Sequence, residues 1–273
     1  MTAFHPTPSF TPFAPSLCLL RTIFFALCLL SSAAFAQVTP LPNAHAHNDY
    51  EHEKPLLDAL SRGFTSIEAD IYLIDGELYV AHNFPRPENR RTLKELYLEP
   101  LRKRIAENGG VYAGAAPVFL MVDIKSEAEA TYQALKKQLV AYADLLNYPQ
   151  HPGPVTVILS GNRATGTVHN DPARRVGIDG RPSDLEKDYA ADFMPLISDN
   201  YANVLRWRGE GEIPEAELNR LKSLTERAHA RGMKVRLWAS PENEAVWKVL
   251  RGAGADLIST DQLERLRLFL GNQ

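Results

Sequence analysis

The segment NAHAHNDYEH, residues 43–52, holds three of the chain's eight histidines together with two acids. Two further polar pairs follow the same spacing: Glu68 and Asp70 in SIEADIYL, and Asp123 and Lys125 in VFLMVDIK. In an extended strand, residues two apart share a face. His45 and His47 therefore point one way, as do Glu68 with Asp70 and Asp123 with Lys125, while Ile67, Ile71, Val122 and Ile124 take the opposite face. Such polar groups, buried alone, would each cost several kcal/mol by order of magnitude. They require a solvated mouth, a cation, or one another.

Three carboxylates suit a hard divalent cation, Mg²⁺ or Ca²⁺. Histidines and a lysine beside them suit proton transfer and anion binding. An anion resting on a hard cation, next to a lysine and flanked by an acid and a base, is most naturally a phosphodiester. The cation and Lys125 would stabilise charge on the phosphoryl oxygens while one imidazole takes a proton and the other gives one.

The rest of the chain reads as alternating strands and helices that set these residues at strand ends. GFTSIEADIYL, ELYVAHN, PVFLMVDIK, VTVILS, RRVGID, MKVRLWAS and ADLIST read as strands, and the first strand ends at His45 and His47. His82 then ends the ELYVAHN strand. Thr92 and Glu95 form a capping box for a helix divided at Pro100, and Ser126 with Glu129 caps the next. PENEAVWKVLRGAG opens on proline and closes on glycine, and Trp247 falls on its core face. About eight such units in roughly 240 residues match a TIM (β/α)8 barrel of the α/β class, a single domain over residues 37–273. In that architecture the site lies at the carboxyl ends of the strands.

Other strand-end residues carry two readings each. Asn162 and Asp179 contact substrate or cap helices. Trp238, ending the seventh strand, lines a pocket or packs in the core, the pocket being favoured. Asp261 opens DQLE and reads as a helix cap. His52 reads as exposed, and His151 and His229 as structural.

Residues 1–36 hold one charged residue, Arg21, ahead of the apolar run TIFFALCLLSSAAFA. A short apolar stretch with a small-x-small ending describes a signal peptide cleaved near Ala36, so the protein is expected to be secreted or periplasmic with no stable membrane anchor. Both cysteines, Cys18 and Cys28, lie in that leader, leaving the domain no thiol chemistry and no cysteine metal site. A net charge of −3 and a pI near 6.3 exclude the basic stripe that nucleic-acid binding needs.

The ordered set HNDY, SIEADIYL, VAHN and VDIK resembles the phosphatidylinositol-phospholipase-C-like phosphodiesterase superfamily, which includes the glycerophosphodiester phosphodiesterases. Within it the chain is most similar to the branch of the altered-inheritance-of-mitochondria proteins and secreted bacterial relatives, through LSGNR, IDGR, RLWASPENE and ISTDQL. The resemblance implies that His47 and His82 are the acid/base pair, that Glu68, Asp70 and Asp123 bind the cation, and that Lys125 contacts phosphate. It also implies a route in which a substrate hydroxyl attacks phosphorus and a cyclic phosphate forms. His45, Asn48, Asn162 and Trp238 are expected around the substrate. The glycerophosphodiesterase HRG reads HND here and its PENT box is absent; both departures bear on the head group rather than on the chemistry.

Three rivals remain at this point. A zinc amidohydrolase would use the H-x-H of the first strand, but His151, His169 and His229 end no apolar strand. A two-carboxylate glycosidase leaves Lys125 and the histidines without a role. A non-catalytic phosphodiester-binding barrel would keep the same residues.

Overall fold

The computed structural model describes residues 1–3, 5, 38–86, 88, 91–113, 116–149 and 151–271. Apart from residues 1–3 and 5, the expected leader and both cysteines lie outside the described residues. Residues Met1–Gln37 and Val38–Gln273 form separate units, and the fold described below belongs to the second.

Nine strands build it: β1 (Leu41–Ala46), β2 (Phe64–Ile74), β3 (Glu77–Val80), β4 (Val118–Ile124), β5 (Val155–Gly161), β6 (Val176–Gly180), β7 (Leu196–Asn200), β8 (Lys234–Trp238) and β9 (Ile258–Thr260). Their order is β8-β7-β6-β5-β4-β2-β1-β9, every neighbouring pair of known register parallel. A parallel bridge from Arg236 to Leu257 joins the two ends, with the Asp256 and Leu257 amides both donating to the Val235 carbonyl. The sheet thereby closes as the (β/α)8 barrel that the alternation predicts.

One strand differs from the sequence reading. ELYVAHN is not a barrel strand: β3 returns antiparallel along β2, pairing Glu77 with Ile74. The cause is Asp75-Gly76, both at positive φ (50° and 84°), a two-residue hairpin turn too short for a crossover to a parallel neighbour. The eighth parallel strand is instead β7, whose apolar run is too brief to stand out. His82 consequently sits past a hairpin arm rather than at the end of a barrel strand.

Two apolar layers hold the barrel. Outward residues such as Ile67, Ile71, Val122, Ile124, Val157 and Leu159 are fully buried beneath the helices. Inside, Met121, Ile158, Leu196 and Leu257, with Phe119 packed on them, fill the lower part. Above this plug the inward positions turn polar, and His45, Ser66, Glu68, Asp179, Ser198, Arg236 and Ser259 are all buried there.

The helices cover the outside, with several starts displaced from those the sequence suggests. Thr92 does accept the Glu95 amide at 3.1 Å, but the turn that follows, Lys94–Leu98, is a π-helix and the α-helix proper is Glu99–Asn108, with Pro100 in its first turn. Glu127, not Ser126, caps the helix Ala128–Leu139, taking the amides of Glu129 and Ala130; Ser126 is occupied by the Leu73 amide and Thr131. The helix Glu244–Gly252 begins at Asn243, whose side chain accepts the Val246 amide, leaving Pro241 in the preceding loop. Trp247 on that helix is fully buried.

Candidate active site

Strand register assembles the carboxylates. β2 and β4 pair Asp70 with Asp123 directly, and Glu68 lies two residues below Asp70 on the same inward face. One ligand oxygen from each of Glu68, Asp70 and Asp123 falls within 4.8 Å of the others. Lys125 sits among them, Nζ 3.1 Å from Asp70 Oδ2 and 3.4 Å from Asp123 Oδ2.

Each acid has a distinct setting. Glu68 Oε2 accepts from His45 Nε2 and from Arg236 Nη2, both at 2.8 Å. Burial alone would raise its carboxyl, but the Arg236 guanidinium and His45 hold it well below the ordinary range, so Glu68 is ionised. Burial pushes Asp70 up, with the nearby Glu68 adding to the shift, and burial pushes Asp123 to about 6. Asp70 Oδ1 and Asp123 Oδ1 are buried with no hydrogen-bond partner among the described residues. Lys125 gives these two clustered, half-satisfied acids one positive charge between them, and a hard divalent cation would supply the rest. The residues present fit such an ion.

The histidines divide into one that faces the cavity floor from below and two that reach substrate space. His45 is fully buried; its Nδ1 pairs with Ser66 Oγ at 2.7 Å and its Nε2 with Glu68. Burial, reinforced by Arg236, lowers its pKa to about 4, so the ring is neutral with its proton on Nε2. The expectation that His45 contacts substrate fails because both ring nitrogens are committed; it positions Glu68. His47 Nδ1 lies 2.7 Å from Asp261 Oδ1, leaving Nε2 toward the cavity. Burial is the largest influence and lowers the His47 pKa, yet the bond to Asp261 and the negative charges of Glu68 and Asp261 together outweigh it and the net shift is upward. Asp261 thus serves His47 rather than the following helix, whose Gln262 amide is taken by Thr260 Oγ1.

His82 stands at the rim, its side chain 59 % exposed, with Nδ1 3.7 Å from Asp70 Oδ2 and 3.3 Å from Tyr50 Oη. Tyr50 joins this group: its hydroxyl lies 2.7 Å from Asp70 Oδ2 and 2.6 Å from Asn48 Oδ1. Burial and the bond to Asp70 keep that phenol protonated. His52, expected to be exposed, is half-buried with Nε2 unpartnered among the described residues. His151 and His229 are held by the Leu146 carbonyl and Asp256, away from the site.

These groups line a cavity of about 450 Å³. Of the residues expected around the site, His47, Asn48, Glu68, Asp70, His82, Asp123, Lys125, Asn162 and Trp238 all line it; His45 does not. Asn162 reaches the Ser126 carbonyl through Nδ2 at 3.0 Å. Ser160, Arg181 and Arg236 line it as well, and the sequence reading had not marked them. Gly161 explains how the backbone comes so near Asp123. It adopts φ +67°, and a Cβ there would fall 1.9 Å from Asp123 Oδ1.

Among the described residues, the one grouping of three potential metal ligands is Glu68, Asp70 and Asp123. His45 has both ring nitrogens committed, to Ser66 and Glu68, which removes one of the two ligands an H-x-H zinc site needs.

Comparison with known proteins gives the family and the fold. Residues 32–178 match the family described as AIM6-like phosphodiesterase domain, and residues 234–264 match the glycerophosphoryl diester phosphodiesterase family. The altered inheritance of mitochondria protein 6 homolog of Arthroderma benhamiae is 28% identical over 262 residues, covering 83% of this chain and 82% of the relative. Altered inheritance of mitochondria protein 6 of Saccharomyces cerevisiae is 29% identical over 300 residues, covering 90% and 76%. A glycerophosphodiester phosphodiesterase from Parabacteroides distasonis superposes with a TM-score of 0.54 at 15% identity, over 86% of this chain and 98% of that one. The corresponding enzyme from Agrobacterium tumefaciens gives 0.51 at 15%, over 85% and 100%. The solved structures share the barrel fold.

Proposed function

Because the chain belongs to the AIM6-like phosphodiesterase family, we propose that it is a divalent-cation-dependent phosphoric diester hydrolase, of the glycerophosphodiester or phospholipid head-group type. The observation that carries this reading is the meeting, in one cavity, of three carboxylates, Lys125 and a His47–Asp261 pair. A Mg²⁺ or Ca²⁺ ion, held by Glu68, Asp70 and Asp123, would neutralise charge building on the phosphoryl oxygens.

The protein's own residues do the rest. Lys125 is kept charged: burial would lower its pKa, but Asp123 and Asp70 raise it. Its ammonium stands ready for a non-bridging phosphate oxygen. His47 acts as the base, removing a proton from the attacking hydroxyl through Nε2. Asp261 orients the ring and stabilises the imidazolium that forms, as the acid of a catalytic dyad does. His82, with open access to solvent, delivers a proton to the leaving oxygen. Tyr50 and Asn48 hold Asp70 and each other in place from the same loop. Attack by a hydroxyl of the substrate itself gives a cyclic phosphate; attack by water gives a monoester directly.

The leader at residues 1–36 supports export, with cleavage near Ala36 and a secreted or periplasmic site of action; amino-terminal sequencing of the mature protein tests this. For the chemistry, His47→Ala and His82→Ala are each expected to abolish diester turnover while circular dichroism stays unchanged. Near-normal activity in either variant would overturn that residue's assignment.

A further inference from the structure

Two strands round the barrel from Asp123, the cavity wall carries a further cation, Arg181. β4 pairs Asp123 with Ser160 of β5, and β5 pairs Leu159 with Ile178 of β6. One residue on, Ser160 Oγ donates to Asp179 Oδ2 at 2.8 Å. Asp123, Ser160 and Asp179 therefore form one row, and Lys125 and Arg181 each lie two residues further on the same inward face. With strands about 4.8 Å apart, their backbones stand roughly 10 Å from one another across the mouth.

Arg181 is pinned by one corner. Nη1 lies 3.0 Å from Asp179 Oδ2, 3.0 Å from the Gly180 carbonyl, 3.0 Å from Ser198 Oγ and 3.3 Å from the Asp179 carbonyl. Nη2 and Nε have no partner among the described residues, and the side chain, 29% exposed, lines the cavity. An arginine present only to neutralise Asp179 would give that carboxylate both prongs of its fork. Here Asp179 takes one nitrogen and two serine hydroxyls, all on Oδ2, and its Oδ1 stays buried without a partner among the described residues. The free edge of a fixed guanidinium is an anion-binding fork.

Charge counting says which anion. Glu68, Asp70 and Asp123 face Lys125 and Arg236, an excess of one negative charge that a divalent ion converts into one positive charge. That suffices for the single charge of a diester. Around Arg181, by contrast, Arg181 and Lys187 bond to the carboxylates of Asp179 and Asp184, and Arg163 adds a third cation through the Asp179 backbone carbonyl. This leaves one positive charge in surplus on the Arg181 side of the cavity.

We infer that Arg181 is a second anion subsite, and that one arm of the diester carries its own negative group, a carboxylate or a phosphate, a few bonds from the scissile phosphorus. The head-group assignment rests on the phosphodiesterase reading; the subsite itself can be tested apart from it.

Three 4-nitrophenyl phosphodiesters, with a second arm of ethyl, 2-carboxyethyl or 2-phosphonoethyl, separate the sources. With Mg²⁺ at constant ionic strength, the protein is expected to prefer the charged arms by about tenfold or more in kcat/KM. The better of the two charged arms identifies carboxylate or phosphate. In Arg181→Gln the charged-to-ethyl ratio falls toward one, chiefly through KM, and Arg181→Lys recovers part of it. Because both diesters are measured on one preparation, loss of folded protein cancels in the ratio. No preference in the unmutated protein, or the same preference in Arg181→Gln, overturns the inference and leaves the phosphodiesterase reading standing. If none of the three is turned over, direct attack by water falls while the cyclising route, for which these arms have no hydroxyl, still stands. Calorimetric binding of the same compounds then decides the subsite: tighter binding of the charged arms that Arg181→Gln abolishes supports it, and equal binding overturns it.

Discussion

Replacing Arg236 by methionine should unmask what holds Glu68 in the barrel. Arg236 is 3% exposed, and its guanidinium donates to Glu68 Oε2 and Ser259 Oγ, each at 2.8 Å. Removing one partner of a buried ion pair leaves an uncompensated charge and costs about 3–5 kcal/mol. In a chain of this size that corresponds to roughly 6–20 °C in Tm. The pH dependence identifies the cause. In the unmutated protein the Glu68 carboxyl lies below its ordinary value, so its contribution is full above about pH 4.3 and is lost only as pH falls through the native value. Between pH 7 and 5 it is flat. Without Arg236, burial dominates and the carboxyl rises, so the charged form is penalised at pH 7 and protonation relieves the penalty toward pH 5. Urea unfolding at both pH values should therefore show a larger loss at pH 7. In a Glu68→Gln background the same substitution should cost at least about 2 kcal/mol less. A loss under about 1 kcal/mol at pH 7, or one that does not shrink at pH 5, would refute the reasoning.

Burial pushes Asp49 to about 6, and its Oδ1 has no partner among the described residues. A raised carboxyl costs stability as pH climbs from about 4 to 6, so Asp49→Asn should stabilise by up to about 3 kcal/mol at pH 8 and little at pH 4; no gain at pH 8 in denaturant titration would contradict this. Gly161→Ala places a Cβ 1.9 Å from Asp123 Oδ1 and 2.5 Å from the Ile124 carbonyl at φ +67°. Calorimetry should show Mg²⁺ affinity falling about tenfold or more, and unchanged affinity would refute the close-approach account. Asp261→Asn removes a charged bond from His47 in a half-exposed pair, so kcat/KM should drop about tenfold, the low end for such bonds. Its acidic limb should move to lower pH because Asp261 is what lifts His47; an unmoved limb would exclude the dyad.

The carboxylate cluster was legible because alternation is local: an apolar strand that ends in Glu68-Ala69-Asp70 or Asp123-Ile124-Lys125 must place its two charged groups on one face. Asp261 was not, because DQLE matches a helix cap as well as it matches a histidine partner, and only the β1–β9 pairing brings it to His47. Nothing near Arg236 in MKVRLWAS marks it as a site residue, since its partner Glu68 lies 168 positions away and only barrel closure delivers it. His45 reads the same as His47 in sequence; depth in the barrel, not residue type, separates the support from the base. The barrel itself was readable from its βα alternation, whereas β7 was hidden by its short apolar run and β3 was mistaken for a barrel strand despite the Asp75-Gly76 turn.

Phosphorus NMR of a diester panel, run with Mg²⁺ or Ca²⁺ and again with chelator, tests the central claim most directly. At least one diester signal should give way to a cyclic phosphate or monoester with the cation, persist with chelator, and persist in His47→Ala. Diesters left intact under every cation, or cleaved equally well in chelator, would contradict it.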